Sequence, residues 1–290
     1  MAAAYAPPTA LVLAGQTRRN ERAYRQVVAV FAAALGILGL AVGLLLGVAG
    51  LGLGLGLAVA VLAVGFAPGL GERLALTRSH AEPADPGRQP RLFNLVEGLC
   101  ESAGLPVPRL YVVDSGAANA FAVGRGAARS ALVVTSGLLA ALNRVELEGV
   151  LAHELAHVES RATRLSTVAV VLGGAPGLLR EARRRGGSPL LGAAAILLAP
   201  LAPLMRLATP ARRELDADEI GAYLTRYPPG LISALRKLAA GAEPGQLGGT
   251  ALDHLWIVAP DPAPRDATAL ARTYRTHPPL DERIAALREL

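Results

Sequence analysis

Residues His153-Glu154-Leu155-Ala156-His157 form an H-E-x-x-H pattern. On a helix, positions i and i+4 share a face, so His153 and His157 can turn both imidazoles toward one zinc ion. Zinc lowers the pKa of a bound water to near 7, and a neighbouring carboxylate, here Glu154, takes its proton as it attacks a carbonyl. In a chain of 290 residues with only 5 histidines, the pattern arises in roughly 0.4% of shuffled sequences. Val150, Leu151 and Val158 continue an apolar helix face around it. The competing reading is a pair of histidines on a helix surface.

A catalytic zinc needs a third protein ligand and an open position. Position 160 is Ser and position 163 is Thr, so the class with a distal histidine after the motif is excluded. A carboxylate on a second helix is the remaining supply. Glu214 and Asp218 stand at i and i+4 in Glu-Leu-Asp-Ala-Asp, on one face. Glu214 is the expected ligand, and Asp218 the group that bonds the far nitrogen of a ligand histidine and fixes its tautomer. Taken alone, the same stretch is a solvated acidic face.

Several ordered stretches resemble the M48 family of membrane zinc metalloproteases, in its HtpX-like branch. Asn119-Ala120-Phe121-Ala122 is similar to the family's NAFA segment, and Val134-Thr135-Ser136-Gly137-Leu138-Leu139 follows it. Glu148-Gly149-Val150-Leu151-Ala152 leads into the zinc motif, Glu214-x-x-Ala217-Asp218 matches the third-ligand motif, and His277-Pro278-Pro279 with Arg283-Ile284 matches the C-terminal pattern. The resemblance covers about residues 90–290 and the N-terminal apolar region. It implies that His277 and Arg283 face the substrate carbonyl and stabilise its developing oxyanion, a charge that needs aimed donors. The bland alternative makes His277 a loop cap and Arg283 a surface ion pair. It also implies that Asn119, Ala120 and Phe121, with the strand at Leu132–Thr135, form the edge on which an extended peptide lies. One departure stands out: where the family often carries Ser-Arg before the ligand glutamate, this chain has Pro210-Ala211, with Arg212 and Arg213 closer in. His80 and His254 have no matching context and read as loop histidines.

The elements that must position these groups follow from periodicity. Helices are expected at Leu92–Ala103, Val145–Glu159, Glu214–Leu224 and Pro229–Ala240, and from near Leu280. Arg109–Val113 and Ala131–Thr135 read as strands, with a turn near Gly124–Gly126 between them. Residues 79–91 read as a Pro-rich linker and 243–270 as loop. There is no internal repeat.

The N-terminal region is different. From Gln26 to Gly71 no residue is charged, long enough for two membrane helices of about 20 residues each. They are expected at Val27–Val48 and Leu51–Ala67, with the Gly50–Gly56 region as the turn or the start of the second. Arg18, Arg19, Arg22 and Arg25 precede the pair and Arg73 and Arg78 follow it, so the positive-inside rule puts both ends in the cytoplasm. The first apolar run is too long for a cleaved signal peptide, and residues 1–17 read as a flexible tail. Between the zinc helices, Leu165–Leu179 and Pro189–Met205 are also apolar, flanking Arg180, Arg183, Arg184 and Arg185. A second membrane hairpin would strand those arginines on the wrong side, and runs this short also fit interfacial or buried helices. Both readings stand.

Composition agrees. Residues are 52% apolar and only 18% charged, which excludes a disordered chain. The net charge of +6 is dispersed and aromatics are 4%, against nucleic-acid binding. The single cysteine, Cys100, excludes an internal disulfide framework. The chain is thus expected to be mainly α with a small β-sheet, an α+β zincin-like metalloprotease domain plus an N-terminal transmembrane helical hairpin. Residues 1–25 form a cytoplasmic tail, 26–71 the hairpin and 72–290 the zinc domain, with 165–206 its apolar segment. The expected activity is zinc-dependent endopeptidase on the cytoplasmic side of the inner or plasma membrane. One Zn2+ is held per chain, a polypeptide is the substrate and the lipid bilayer a partner. The alternatives are a catalytically silent, client-binding membrane scaffold and a CaaX-processing protease. Oligomeric state is not legible.

Overall fold

The computed structural model describes residues 10–189, 192, 196, 212–240, 252, 254–258 and 277–290. The chain opens with two long antiparallel helices, α1 (Ala10–Leu45) and α2 (Ala49–Arg78). A short strand β1 (Glu82–Pro83), helix α3 (Pro90–Ala103) and strands β2 (Arg109–Val113), β3 (Ala120–Gly126) and β4 (Arg129–Thr135) follow. Helices α4 (Ser136–Ala141), α5 (Arg144–Glu159), α6 (Ala162–Arg184), α7 (Arg212–Thr225), α8 (Pro228–Ala240) and α9 (Leu280–Arg288) complete the described elements. The architecture is the expected one: mainly helical, with one small sheet.

Glycine makes the hairpin possible. A Cβ on Gly39 would lie 2.2 Å from the Gly52 carbonyl oxygen, and one on Gly56 would lie 2.3 Å from the Leu35 oxygen. Small residues four apart on each helix thus let the backbones touch. Outward, the hairpin stays bare: Ile37, Leu45, Val61 and Phe66 are each more than two-thirds exposed. In the most apolar windows of α1 and α2 only 28% and 11% of residues are buried. A core hairpin of a water-soluble fold would bury far more, so these are candidate membrane spans.

The expected outline changes in three places. Residues 10–17 belong to α1, because Leu13 and Gln16 find protein surface to pack on; residues 1–9 of the expected tail lie outside the described residues. The repeated Gly-Leu segment takes the second of its two expected places, the first two turns of α2, and the turn sits at residues 46–48. The stretch from Ala120 to Gly126, expected between strands, is itself a strand, pairing antiparallel with β4. The linker also contributes β1, paired with β2.

Strand order is β1-β2-β4-β3, with β2 and β4 parallel. Both faces of the sheet are covered. Ala120, Leu132 and Val134 join the core made by α3, α5 and α8, while Phe121, Val123, Ala131 and Val133 pack with Ala75 of α2, Val170 of α6 and Trp256. The period-2 alternation therefore separates two apolar faces rather than an apolar from a polar one. The sheet is the layer between the hairpin side and helix α5. Helix α6 runs beside the hairpin: Leu165, Val168 and Ala169 pack with Val27, Phe31, Ala60 and Ala67. The first apolar run of the insert is thus a partner of the hairpin; the second lies almost wholly outside the described residues.

Helix α5 is buried on nearly every side, so its ends are fixed by polar bonds. Its N-terminus carries a reciprocal cap, with Asn143 Oδ1 accepting from the Glu146 amide at 3.0 Å and Glu146 Oε2 accepting from the Asn143 amide at 2.9 Å. Ser233 and Lys237 of α8, the latter the sole lysine, bond the same carboxylate at 2.7 Å each. Burial opposes ionisation of Glu146, but these partners outweigh it and hold the carboxyl below its usual 4.5. A depressed folded-state pKa adds stability above the unfolded value and loses it as pH falls through the folded one. Acid-range thermal melts should therefore show a shallower loss of stability for Glu146→Gln than for wild type. At neutral pH, Asn143→Ala should cost about 1 kcal/mol; identical melts at every pH would show that the cap does not hold α5.

Candidate metal centre

His153 and His157 lie one turn apart on α5, their ring centroids 4.8 Å apart and nearly perpendicular. Helix α7 crosses α5 at this level. A Cβ on its Gly221 would stand 2.8 Å from the His153 backbone nitrogen, so only glycine allows this crossing. Two turns upstream of Gly221, Glu214 reaches the histidines: Oε2 is 3.5 Å from His153 Nε2 and Oε1 is 3.4 Å from His157 Nε2. The ligand atoms of His153, His157 and Glu214 all fall within 4.8 Å of one another.

The chemistry of this trio fits a divalent metal. His153 Nε2 and Glu214 Oε2 are buried and have no hydrogen-bond partner. Buried polar atoms are normally satisfied, and two imidazole nitrogens with one carboxylate oxygen are a zinc-type donor set with room for a further ligand. His153 Nδ1 lies 2.8 Å from Asp218 Oδ1, an ion-pair contact, and a proton placed there would leave the Nε2 lone pair toward Glu214. The alternative of solvated surface groups does not survive, since His153, Glu154 and Asp218 are all at most 1% exposed.

Asp218 is held in turn by Arg283 of α9. Arg283 Nε donates to Oδ2 and Nη2 to Oδ1, each at 2.7 Å, and Nη1 donates to the Ile257 carbonyl at 2.8 Å. The guanidinium is buried. Arg283 is therefore brought to the site, but against Asp218 rather than on an open surface or a free cleft wall, with Nη1 also 3.9 Å from Glu214 Oε2. His277 stands with its Nε2 3.8 Å from the same oxygen.

Charge at the site is unevenly set. Burial lowers His157 to about 4 and raises Glu154 to about 7. Burial also opposes the charge on His153, yet the neighbouring Asp218 and Glu214 carboxylates lift it to about 9. Asp218 stays ionised despite burial because of Arg283. Glu154 accepts a hydrogen bond from the Ala122 amide on β3.

The expected peptide edge needs correction. β4 lies between β2 and β3, so the strand at Leu132–Thr135 has no free side; β3 is the edge strand. Asn119, Ala120 and Phe121 are buried, and they hold protein. Asn119 Nδ2 donates to the Val258 carbonyl at 2.7 Å, the Ile257 amide donates to Ala120 at 3.0 Å, and Phe121 meets Trp256 edge-on at 4.6 Å. The 254–258 segment thus covers the start of β3 and connects it, through Arg283, to Asp218. His254 anchors that segment, its Nε2 lying 3.1 Å from the Ser166 carbonyl, while His80 is an exposed turn residue. Arg213, noted beside the departure at 210–211, donates to the Ala162 carbonyl and to Ser166 Oγ at 2.9 Å. The Gly221 crossing and the Ala122 amide were not foreseen. A glycine inside a helical run, at a cost of about 1 kcal/mol relative to alanine, was the available signal for the first.

The profile of Peptidase family M48 matches residues 86–290. A protein named Protease HtpX homolog from Dictyoglomus turgidum is 42% identical over 213 residues, 69% of each chain. Its namesake from Tropheryma whipplei is 42% identical over 232 residues, 75% of this chain and 78% of that one. Another, from Acaryochloris marina, is 39% identical over 233 residues, 76% and 78% of the two chains.

Removing the charge that holds His153 should show in metal binding itself. Asp218→Asn is expected to weaken zinc affinity roughly 10–100-fold in a competition titration against a chelating dye. Unchanged affinity would remove Asp218 from the centre.

Proposed function

The chain belongs to peptidase family M48 and is a metalloprotease, and from that premise we propose a membrane-anchored zinc endopeptidase with a cytoplasmic active site. The observation that carries the proposal is the convergence of His153 Nε2, His157 Nε2 and Glu214 on one buried spot where Nε2 of His153 and Oε2 of Glu214 lack a hydrogen-bond partner. His153, His157 and Glu214 would hold one zinc ion. When bound, zinc supplies a Lewis acid that polarises the scissile carbonyl and acidifies water.

The remaining work falls to this chain's own groups. Glu154, raised to about 7 by burial, is matched to taking a proton from the attacking water and returning it to the leaving amine near neutral pH. The Ala122 amide fixes the direction of that carboxylate. His277, close to Glu214 and on the open side of α7, faces the substrate carbonyl and its developing charge. Arg283 acts through Asp218 as a positioning residue, and Asp218 orients His153. An extended peptide is bound along the part of β3 beyond Ala120, where backbone pairing needs little sequence.

The bare apolar hairpin and its flanking arginines support insertion with both ends cytoplasmic. Helix α6 packs on the hairpin, but its charge-free run, residues 165–179, is about 22 Å long, short of the hydrocarbon thickness, so the four-span and the buried-insert readings both stand. Substrates are proposed to be misfolded or unassembled membrane proteins. The CaaX-processing reading is set aside, because the similar proteins are named Protease HtpX homolog.

Casein digestion with zinc tests the chemistry: Glu154→Gln should lower the rate by roughly 10²–10⁴-fold. Equal rates in wild type and variant would overturn the mechanism and favour the silent scaffold. Topology is read separately. Arg183→Cys, in a chain whose buried Cys100 is replaced by alanine, decides it: reaction with an impermeant thiol reagent added from the periplasmic side gives four spans. Labelling only from the cytoplasmic side would leave two spans.

A further inference from the structure

We propose that the cavity between the β3–β4 turn and the end of α2 binds the headgroup of an anionic phospholipid, an inference resting on the membrane reading above. The cavity is about 350 Å³ and is lined by Glu72, Arg109, Arg125, Arg129, Ser130 and Val107, with Ala128 at the turn.

Its position comes first. Along α2 the exposed apolar side chains end at Phe66 and Leu70, 71% and 45% exposed, and the first charge is Glu72. The cavity opens at that level, where a spanning helix leaves the hydrocarbon and meets headgroups. Arg125 lies directly on the helix: a Cβ on Gly69 would stand 2.2 Å from its Nη2. Glycine at that position leaves the space the guanidinium fills.

The charge balance comes second. Glu72 is paired with Arg109. Arg125 and Arg129 have no carboxylate or hydrogen-bond partner among the described residues, so the cavity carries two uncompensated guanidinium groups. Guanidinium binds phosphate through paired, planar hydrogen bonds.

The third observation is that the two arginines sit on a built turn. The Gly124 amide donates to Thr167 Oγ1 of α6 at 2.9 Å. A bulge between Gly124 and Gly126, with φ of 148° and 143° open to glycine alone, re-aims Arg125 toward α2. This end of the hairpin between β3 and β4 is thereby fastened to α6 and laid against α2.

The test uses the full chain in nanodiscs, with spin-labelled phosphatidylglycerol and phosphatidylcholine as probes. Wild type should prefer phosphatidylglycerol, and Arg125→Gln with Arg129→Gln should remove a preference of roughly fivefold for each arginine. Gly69→Leu keeps every charge but displaces Arg125, and should lower the preference as well. A double variant that retains the full preference would overturn the site. Inorganic phosphate displacing labelled phosphatidylglycerol at equal concentration would assign the cavity to free phosphate instead. Glu154→Gln should bind lipid as wild type does, so failure of the catalytic reading leaves this result standing. Failure of the chain to enter phosphatidylcholine nanodiscs would overturn the membrane reading and this proposal together.

Discussion

Asp218 is a carboxylate that is only 1% exposed. An ionised group in that position is stable only with a charged partner and satisfied oxygens, because desolvation costs several kcal/mol per ion. Arg283 supplies both. The paired carboxylate then directs His153 Nδ1, and the guanidinium directs the Ile257 carbonyl, so one ion pair joins α5, α7, α9 and the 254–258 segment. Removing either member would leave the other buried and alone, a cost of about 3–5 kcal/mol in comparable pairs. The metal centre is rigid because its supporting charge has nowhere else to go.

Around that pair the packing is arranged by small residues. Gly221 lets α7 lie on α5, Gly149 lets α8 approach the same helix with a would-be Cβ 2.8 Å from the Leu231 nitrogen, and Gly71 lets α2 meet α6 at the Thr167 carbonyl. Helix α5 consequently has no polar face to offer water. It is oriented by its cap at one end and, at the other, by Asn20 of α1, which donates to the Ser160 carbonyl at 2.9 Å.

Much of the site was legible because it depends on local spacing. The i, i+4 pairs at 153/157 and 214/218 put ligands on common faces whatever the tertiary fold. Helix α3 followed from its apolar spacing, and the end expected at Ala103 is where Gly104, with φ of 66°, stops it. What was hidden depends on long-range approach. β3 is rich in alanine and glycine, so propensity pointed away from a strand that burial on both faces imposes. The N-terminal part of α1 is polar in sequence, and only Asp216, Ser160 and the apolar contact of Leu13 with Ala156 and Ile220 reveal that it packs. Arg283 and Asp218 each stood in a recognisable pattern, but their pairing across 65 residues did not show.

The contact between Asn20 and the end of α5 also acts as a ruler. Gln26, where the charge-free stretch begins, is six residues further along α1, about 9 Å at the helical rise. His157 is one turn before Ser160. With the hydrocarbon boundary at Gln26, as the membrane reading sets it, the reacting groups sit at a height fixed by covalent helix geometry, on the order of one nanometre above the lipid. On that proposal, a peptide bond would reach Glu154 only when presented close to the bilayer.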